Sequence, residues 1–294
     1  MKTLLIISLL VCLVTLGALH PQLARAGEGV GRHVGKKGVC LNTMRKNADV
    51  WKTKVAALRP RWHYSWGASL PEAEVDGVEF VPMMWGYRKA NERFLRRIEH
   101  LKAGKASGSC AHLLGFNEPD GETQANMSVE LAIAAWPYLE STGLRLGSPA
   151  AVHADREWMR KFMKQAVAKK LRIDFVCVHW YGGTNVEGFV NRLKRIHEMY
   201  GRPIWITEFA VADWKAKTRK DNRYSPEKVL AFMKRVLPRL DELEFVERYA
   251  WFSSEVDHKA LGPSALFRPD GSLTELGRFY GNHKGPTKRG DGRK

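Results

Sequence analysis

Two of the 31 acidic residues stand at the ends of apolar runs. Glu118 follows Leu113-Leu114-Gly115-Phe116 in the phrase Asn117-Glu118-Pro119, and Pro119 cannot continue a central strand. Glu208 closes Pro203-Ile204-Trp205-Ile206-Thr207 and precedes Phe209-Ala210. A carboxylate at the end of a buried strand is costly unless it is paired or at work. Taken singly, either glutamate would read as one satisfied by the abundant Arg and Lys. Two at matching strand ends, flanked by aromatics, point instead to paired acid/base and nucleophilic chemistry.

The elements that must carry them are strands alternating with helices. Strands are expected at Gly38–Asn42, Arg61–Trp66, Glu79–Trp85, Ala111–Asn117, Arg145–Pro149, Asp174–His179, Pro203–Glu208 and Arg248–Phe252. Between them lie helical stripes: Asn91 caps one that ends at Gly104, and Asp155 caps one carrying Trp158, Met159, Phe162 and Met163. Gly201 closes a third, and Ser225-Pro226 opens a fourth. This rhythm predicts an α/β fold, a single (β/α)₈ TIM barrel with a short or missing helix between strands 2 and 3, where Gly67–Gly77 is brief and Pro-broken. A doubly wound sheet is the alternative, but no phosphate-binding glycine loop follows a strand. In a barrel the strand C-termini carry the site. Glu118 and Glu208 are 90 residues apart, about three βα units, which makes them the ends of strands four and seven.

Other residues gather at the same mouth. Alternation puts His179 and Tyr181 on one face and Trp180 on the other. Trp66, Trp85 and Trp251 fall at or near the ends of strands two, three and eight, where an indole ring offers a flat stacking surface. Simple packing is expected of one of these three. Phe209 and Trp214 are weaker candidates. No metal site is expected: Gly201 stands where a His-Glu-x-x-His pattern needs its second His, and Cys177 with His179 lacks a further ligand cluster.

The phrases Leu113-Leu114-Gly115-Phe116-Asn117-Glu118-Pro119-Asp120, His179-Trp180-Tyr181-Gly182 and Pro203-Ile204-Trp205-Ile206-Thr207-Glu208-Phe209-Ala210 resemble the signatures of glycoside hydrolase family 128. Val81-Pro82-Met83-Met84-Trp85-Gly86, Leu146-Gly147-Ser148-Pro149-Ala150, Arg248-Tyr249-Ala250-Trp251-Phe252 and Asp270-Gly271-Ser272-Leu273-Thr274 match in order, across nearly the whole chain after residue 38. The resemblance implies a (β/α)₈ barrel, an endo-acting, retaining β-1,3-glucanase, Glu118 as general acid/base and Glu208 as nucleophile. Retention needs the two carboxyls about 5–5.5 Å apart. The general acid must keep its proton near neutral pH, which apolar surroundings and a neighbouring carboxylate both favour. It further implies that Asn117 bonds the hydroxyl at C2 of the reacting sugar. His179 and Tyr181 would steady Glu208 or the sugar, and Trp66, Trp85 and Trp251 are the candidate sugar platforms.

Composition sets the outer limits. The chain has 294 residues, with 44% hydrophobic, 27% charged and 10% aromatic, which excludes a disordered chain and a disulfide-stapled miniprotein. Ten Trp is a heavy load, and flat apolar ligands such as sugar rings are one use for it. A net charge of +17 speaks to solubility and to attraction for polyanions, and says nothing of fold.

Met1-Lys2, the apolar run Leu4–Leu19 and Ala24-Arg25-Ala26 form a secretory signal pattern, so residues 1–26 are expected to be removed and the protein exported, secreted or periplasmic. Residues 27–37 are then a flexible N-terminus, 38–281 the catalytic domain and 282–294 a basic disordered tail. Cys40, Cys110 and Cys177 are expected as buried thiols. The expected partner is a β-glucan polysaccharide or oligosaccharide, with no cofactor, no specific nucleic acid, no membrane after cleavage, and a monomeric chain. A catalytically idle carbohydrate-binding barrel and a basic polyanion binder are the competing classes.

Overall fold

Short apolar segments pair in parallel while the stretches between them coil into helices that cover their outer faces. The structure, a computed structural model, describes residues 35–42, 48–71 and 75–285. The expected signal segment 1–26, most of the N-terminal segment and most of the tail lie outside the described residues. In chain order the elements are β1 (Lys37–Cys40), α1 (Ala48–Leu58), β2 (Trp62–Tyr64), β3 (Glu79–Phe80), α2 (Glu92–Ser107), β4 (His112–Leu113), α3 (Val129–Glu140), β5 (Arg145–Leu146), α4 (Glu157–Ala168), β6 (Val176–Gly182), α5 (Val186–Tyr200), β7 (Ile204–Val211), α6 (Pro226–Glu242), β8 (Val246–Phe252) and α7 (Glu275–Asn282).

Six strands form one parallel sheet in the order β3-β2-β1-β8-β7-β6, and β4 pairs with β5. Single parallel bridges join the two sheets, Met83 with Leu114 and Gly147 with Phe175. Backbone bonds from Leu114 N to Pro82 O and from Ser148 N to Phe175 O, each 2.9 Å, run beside them. Hydrogen-bonded neighbours therefore follow chain order around a (β/α)₈ barrel, with β8 against β1. Strands β3, β4 and β5 are only two residues long, shorter than expected. Pro82 and Pro149 bring no N–H to the ladder, so single bridges replace continuous pairing there. No helix lies between β2 and β3 among the described residues, as the broken segment anticipates, although residues 72–74 are outside them.

Two helix ends differ from the sequence reading. α2 runs through Gly104 to Ser107 and stops at Gly108, whose φ of 78° is the left-handed cap. Gly104 is buried inside the helix because a side chain there would meet Leu70 and Cys110. Asp155 does not cap α4: the cap position is Arg156, and Asp155 pairs with Arg192 at 2.7 Å. The Asn91, Ser225 and Gly201 signals stand as read. β1 opens at Lys37, inside the segment expected to be flexible. The Lys36 and Lys37 ammonium groups donate to carbonyls at the ends of α6 and α7.

Alternate residues of the strands, Cys40, Trp62, Tyr64, Phe175, Cys177 and Trp205, fill the barrel interior. Their neighbours Val39, Val176, Val178, Ile204 and Ile206 pack outward against Leu101, Phe162, Leu193 and Val236 of the helices. Cys40, Cys110 and Cys177 are buried free thiols. The N-terminal end of the barrel is closed by charge. Glu79 takes His112 at 2.6 Å on one oxygen and Arg248 at 2.6 Å on the other, and Arg248 lies over the Trp205 ring at 4.2 Å. Arg145 grips Glu247 bidentately at 2.6 and 2.8 Å, and Trp205 Nε1 donates to the same carboxylate.

Burial alone would raise the Glu79 carboxyl. The His112 hydrogen bond and the Arg248 charge outweigh it and hold Glu79 down at about 2. Because the folded value is depressed, this stabilisation is present above the ordinary value of 4.5 and is lost as pH falls toward 2. Removing one partner of a buried pair costs about 3 kcal/mol by leaving the other uncompensated. Glu79→Gln is therefore expected to lower stability by about that amount at neutral pH, with the gap to wild type closing as urea melts are taken from about pH 5 to pH 2. A gap that is constant with pH counts against the charge-based account.

Candidate active site

Strict alternation along β7 from Trp205, which faces the barrel interior, would send Glu208 outward among the helices. The register prevents this. Val178 pairs with Ile206 and His179 with Glu208, so Thr207 is skipped; on the other edge Ile206 and Phe209 pair with Tyr249 and Trp251. One extra residue in β7 flips the side-chain parity and turns Glu208 into the mouth. β7 continues three residues past it, to Val211, whereas the sequence placed its end at Glu208.

Glu208 is buried, and its carboxylate is met by donors from two strands and the loop after one of them. Tyr64 O–H donates to Oε1 at 2.9 Å, Trp66 Nε1–H donates to Oε1 at 2.7 Å, and Tyr181 O–H donates to Oε2. Burial first, then the Glu208 charge, push the Tyr64 and Tyr181 phenols well above their ordinary value, so both remain O–H donors. Hydrogen bonds to a charged acceptor are worth about 1.5–3 kcal/mol each, which offsets the several kcal/mol needed to bury a carboxylate.

Glu118 comes from the turn after β4. Asn117 bridges to Ala150, and Glu118 N donates to Ala150 O at 2.8 Å. Its φ is +39°, and Trp66 stands at +56°. Such left-handed backbone costs a non-glycine residue about 1 kcal/mol or more, held here by surrounding structure at two residues of one site. His179 lies between the glutamates: Nδ1 is 2.9 Å from Glu118 Oε1 and Nε2 is 3.5 Å from Glu208 Oε1. Donor atoms of Glu118, His179 and Glu208 all fall within 4.8 Å of one another.

Three such donors are also a metal-site composition, but the hydrogen bonds run differently. His179 Nδ1 bonds Glu118, Nε2 faces Glu208 Oε1 at 3.5 Å with no hydrogen bond among the described residues, and Glu208 already accepts from three groups. The imidazole therefore lies between the two carboxylates, hydrogen-bonded to Glu118 and within charge range of Glu208. Burial would push His179 down; the Glu208 charge, the Glu118 hydrogen bond and the charges of Glu118 and Asp120 outweigh it and raise its pKa above the ordinary value.

These residues face a cleft of about 670 Å³ walled by Trp66, Trp85, Asn117, Tyr181, Trp214 and Phe252. Trp85 and Trp214 are 39% and 61% exposed, free faces for a flat ligand, and Trp214 meets Tyr181 edge-on at 5.7 Å. A second cavity of about 740 Å³ shares Trp66 and Phe252 with it. Two aromatic candidates are corrected. Trp251 is fully buried in the helix layer, its Nε1 donating to Ser264 O at 2.9 Å and its ring 4.9 Å from Phe209. Phe209 is buried beside it, outside the barrel. Trp180 also faces outward, stacked on Phe189 and Phe232, as alternation requires. Tyr64, Phe252 and Gln124 were missed. The alternation through Trp62, Tyr64 and Trp66 carried the signal for Tyr64; nothing local marks Gln124, seven residues past the asparagine that it bonds.

The sequence profile of the glycosyl hydrolase catalytic core matches residues 38–280. Alkali-sensitive linkage protein 1 of Schizosaccharomyces pombe is 32% identical over 231 residues, a match covering 74% of this chain and 39% of that protein. The chain thus spans well under half the length of this relative. Among solved structures it is similar to a family 128 (subgroup I) endo-β-1,3-glucanase of Amycolatopsis mediterranei in complex with laminaritriose. That likeness has a TM-score of 0.70 and 35% identity over 84% of this chain and 98% of the other. A family 128 (subgroup III) curdlan-specific exo-β-1,3-glucanase of Blastomyces gilchristii gives a TM-score of 0.65 and 33% identity, over 85% and 98%.

The electrostatics of the pair can be read at His179. Its raised value means that the stability it adds is complete below the ordinary 6.5 and is lost as pH rises through the folded value. In proton NMR the His179 ring should titrate above that ordinary value, and Glu208→Gln should bring its midpoint down by removing the strongest opposing charge. An unmoved midpoint would show that Glu208 does not act on the imidazole.

Proposed function

The chain belongs to the glycosyl hydrolase catalytic core family and within it to glycoside hydrolase family 128, and on that premise we propose an exported endo-β-1,3-glucanase that works with retention of configuration. Glycoside hydrolysis is the activity of the family; the linkage, the stereochemistry, the mode of attack and the export are the proposal. One observation carries it: one oxygen of Glu118 and one of Glu208 lie within 4.8 Å of each other, and both residues line an open cleft. Retaining hydrolysis requires carboxyls about 5–5.5 Å apart, whereas inversion leaves room for a water at about 6.5–9.5 Å.

The roles follow from what each carboxylate touches. Glu208 faces three neutral donors and is oriented by them, which suits a nucleophile attacking the anomeric carbon to form a glycosyl-enzyme. Among the described residues Glu118 has a single side-chain hydrogen-bond partner, the His179 ring, and it lines the cleft. It donates a proton to the departing oxygen, then takes one from the water that releases the sugar. His179 Nδ1 shares that proton axis and keeps the Glu118 carboxyl in place. Trp66, Trp85 and Trp214 supply ring faces for the pyranoses. β-1,3-Glucan as substrate rests on the solved relatives, whose bound laminaritriose and curdlan specificity are of that linkage. A second cavity adjoins the cleft at Trp66 and Phe252, room for sugar units beyond the catalytic pair, which supports attack within a chain. Export rests on the pattern in residues 1–26.

Laminarin, curdlan and lichenan, with product analysis, test the reading. Wild type should release oligosaccharides from the β-1,3-glucans, with the β-anomer appearing first by proton NMR. Glu118→Gln and Glu208→Gln should each fall about 10²–10⁴-fold or more while staying folded. Full turnover by either variant overturns its role, and a first-formed α-anomer overturns retention. In an exporting host, the protein recovered outside the cytoplasm should begin at Gly27; an intact Met1 there would refute cleavage.

A further inference from the structure

Asn117 is 4% exposed and lines the cleft beside Glu118. Its Nδ2 donates to Gln124 Oε1 at 3.1 Å, while its Oδ1 is buried with no partner among the described residues. A primary amide has two N–H donors and an oxygen with two lone pairs. One Nδ2 hydrogen and the oxygen are left unspent, at the position next to the acid. The last torsion of an asparagine is broad and roughly two-fold, so covalent geometry does not choose the direction of this amide. Gln124 does. The turn after Glu118 folds back to bring it there: Gln124 N donates to Gly121 O at 3.0 Å, Ala125 N to Asn117 O at 3.2 Å and Met127 N to Pro119 O at 2.8 Å. A side chain at position 121 would stand 3.1 Å from Gln124 Cγ, so glycine there leaves room for the fold-back.

We propose that Gln124 is a positioning residue: by accepting one Asn117 N–H it sets the amide so that the other polar capacity of Asn117 meets the hydroxyl at C2 of the reacting sugar. This rests on the glucanase reading above. A donor set in advance costs no reorganisation as the transition state forms, and contacts to the C2 hydroxyl strengthen there. The effect therefore falls on kcat more than on KM. Gln124 touches no reacting atom; it acts through Asn117.

The test compares Gln124→Met, which keeps the length but not the acceptor, with Gln124→Glu, which keeps the acceptor. Each is assayed at its own pH optimum, because the second adds a charge near Glu118. The substrates are an aryl β-laminaribioside and its counterpart lacking the C2 hydroxyl on the reacting ring. Gln124→Met should lose about tenfold in kcat on the first, with KM little changed, the size of one lost hydrogen bond. It should lose nothing on the deoxy substrate, and Gln124→Glu should restore turnover on the first. Equal losses on both substrates, or none on either, overturn the proposal. If wild type binds these glycosides without cleaving them, the glucanase reading fails by itself. The coupling is then read by NMR: the Asn117 side-chain NH2 hydrogens should exchange faster in Gln124→Met and be protected again in Gln124→Glu, and unchanged exchange in Gln124→Met overturns the proposal.

Discussion

A carboxylate buried in the mouth of a barrel is the constraint on which the rest depends. Glu208 has given up nearly all its water, and only a dense set of donors makes that tolerable. Tyr64, Trp66 and Tyr181 provide them from opposite sides of the mouth, and His179 adds a nitrogen near Oε1. Tyr64, Trp66 and Tyr181 are uncharged, and among the described residues no Arg or Lys pairs with Glu208. A lysine in the same place would have stabilised the fold and blunted the nucleophile. Trp66 accepts left-handed backbone to reach the carboxylate, and its ring remains a wall of the cleft. One residue thus serves both orientation and binding.

The opposite end of the barrel solves a different problem. There Glu79, His112, Arg145, Glu247 and Arg248 pair with one another and leave little of their charge uncompensated. Trp205 and Trp62 lie under Arg248 and insulate that network from the interior. The same barrel therefore holds fully paired carboxylates at the floor and donor-held ones at the mouth. The division follows the rule that strand N-termini bear stability and strand C-termini bear chemistry.

Much of this is legible in the sequence. The two glutamates stood out because an apolar strand ending in a carboxylate is a local contradiction. His179 and Tyr181 shared a face by simple alternation, and both reach the carboxylates. Trp85 is an exposed wall of the cleft. Other matters were not legible. Trp251 read as a mouth residue because it lies near a strand end, yet alternation against Ala250, which fills the interior, turns it into the helix layer. Asp155 looked like a cap, but a salt bridge to Arg192 on the next helix claims it. Gln124 sits in a turn without periodicity, and its importance arises only where that turn folds back.

Sequence alone determined the alternation of strands and helices, the aromatic and acidic residues available at the strand ends, and the family that shares them. These depend on local pattern: period, caps, proline and glycine punctuation. The tertiary structure alone decided which way Glu208 faces. Its parity along β7 depends on one skipped residue, Thr207, and that slip is set by pairing with β6 and β8 on either side. A register is a relation between strands distant in the chain, and no single segment contains it.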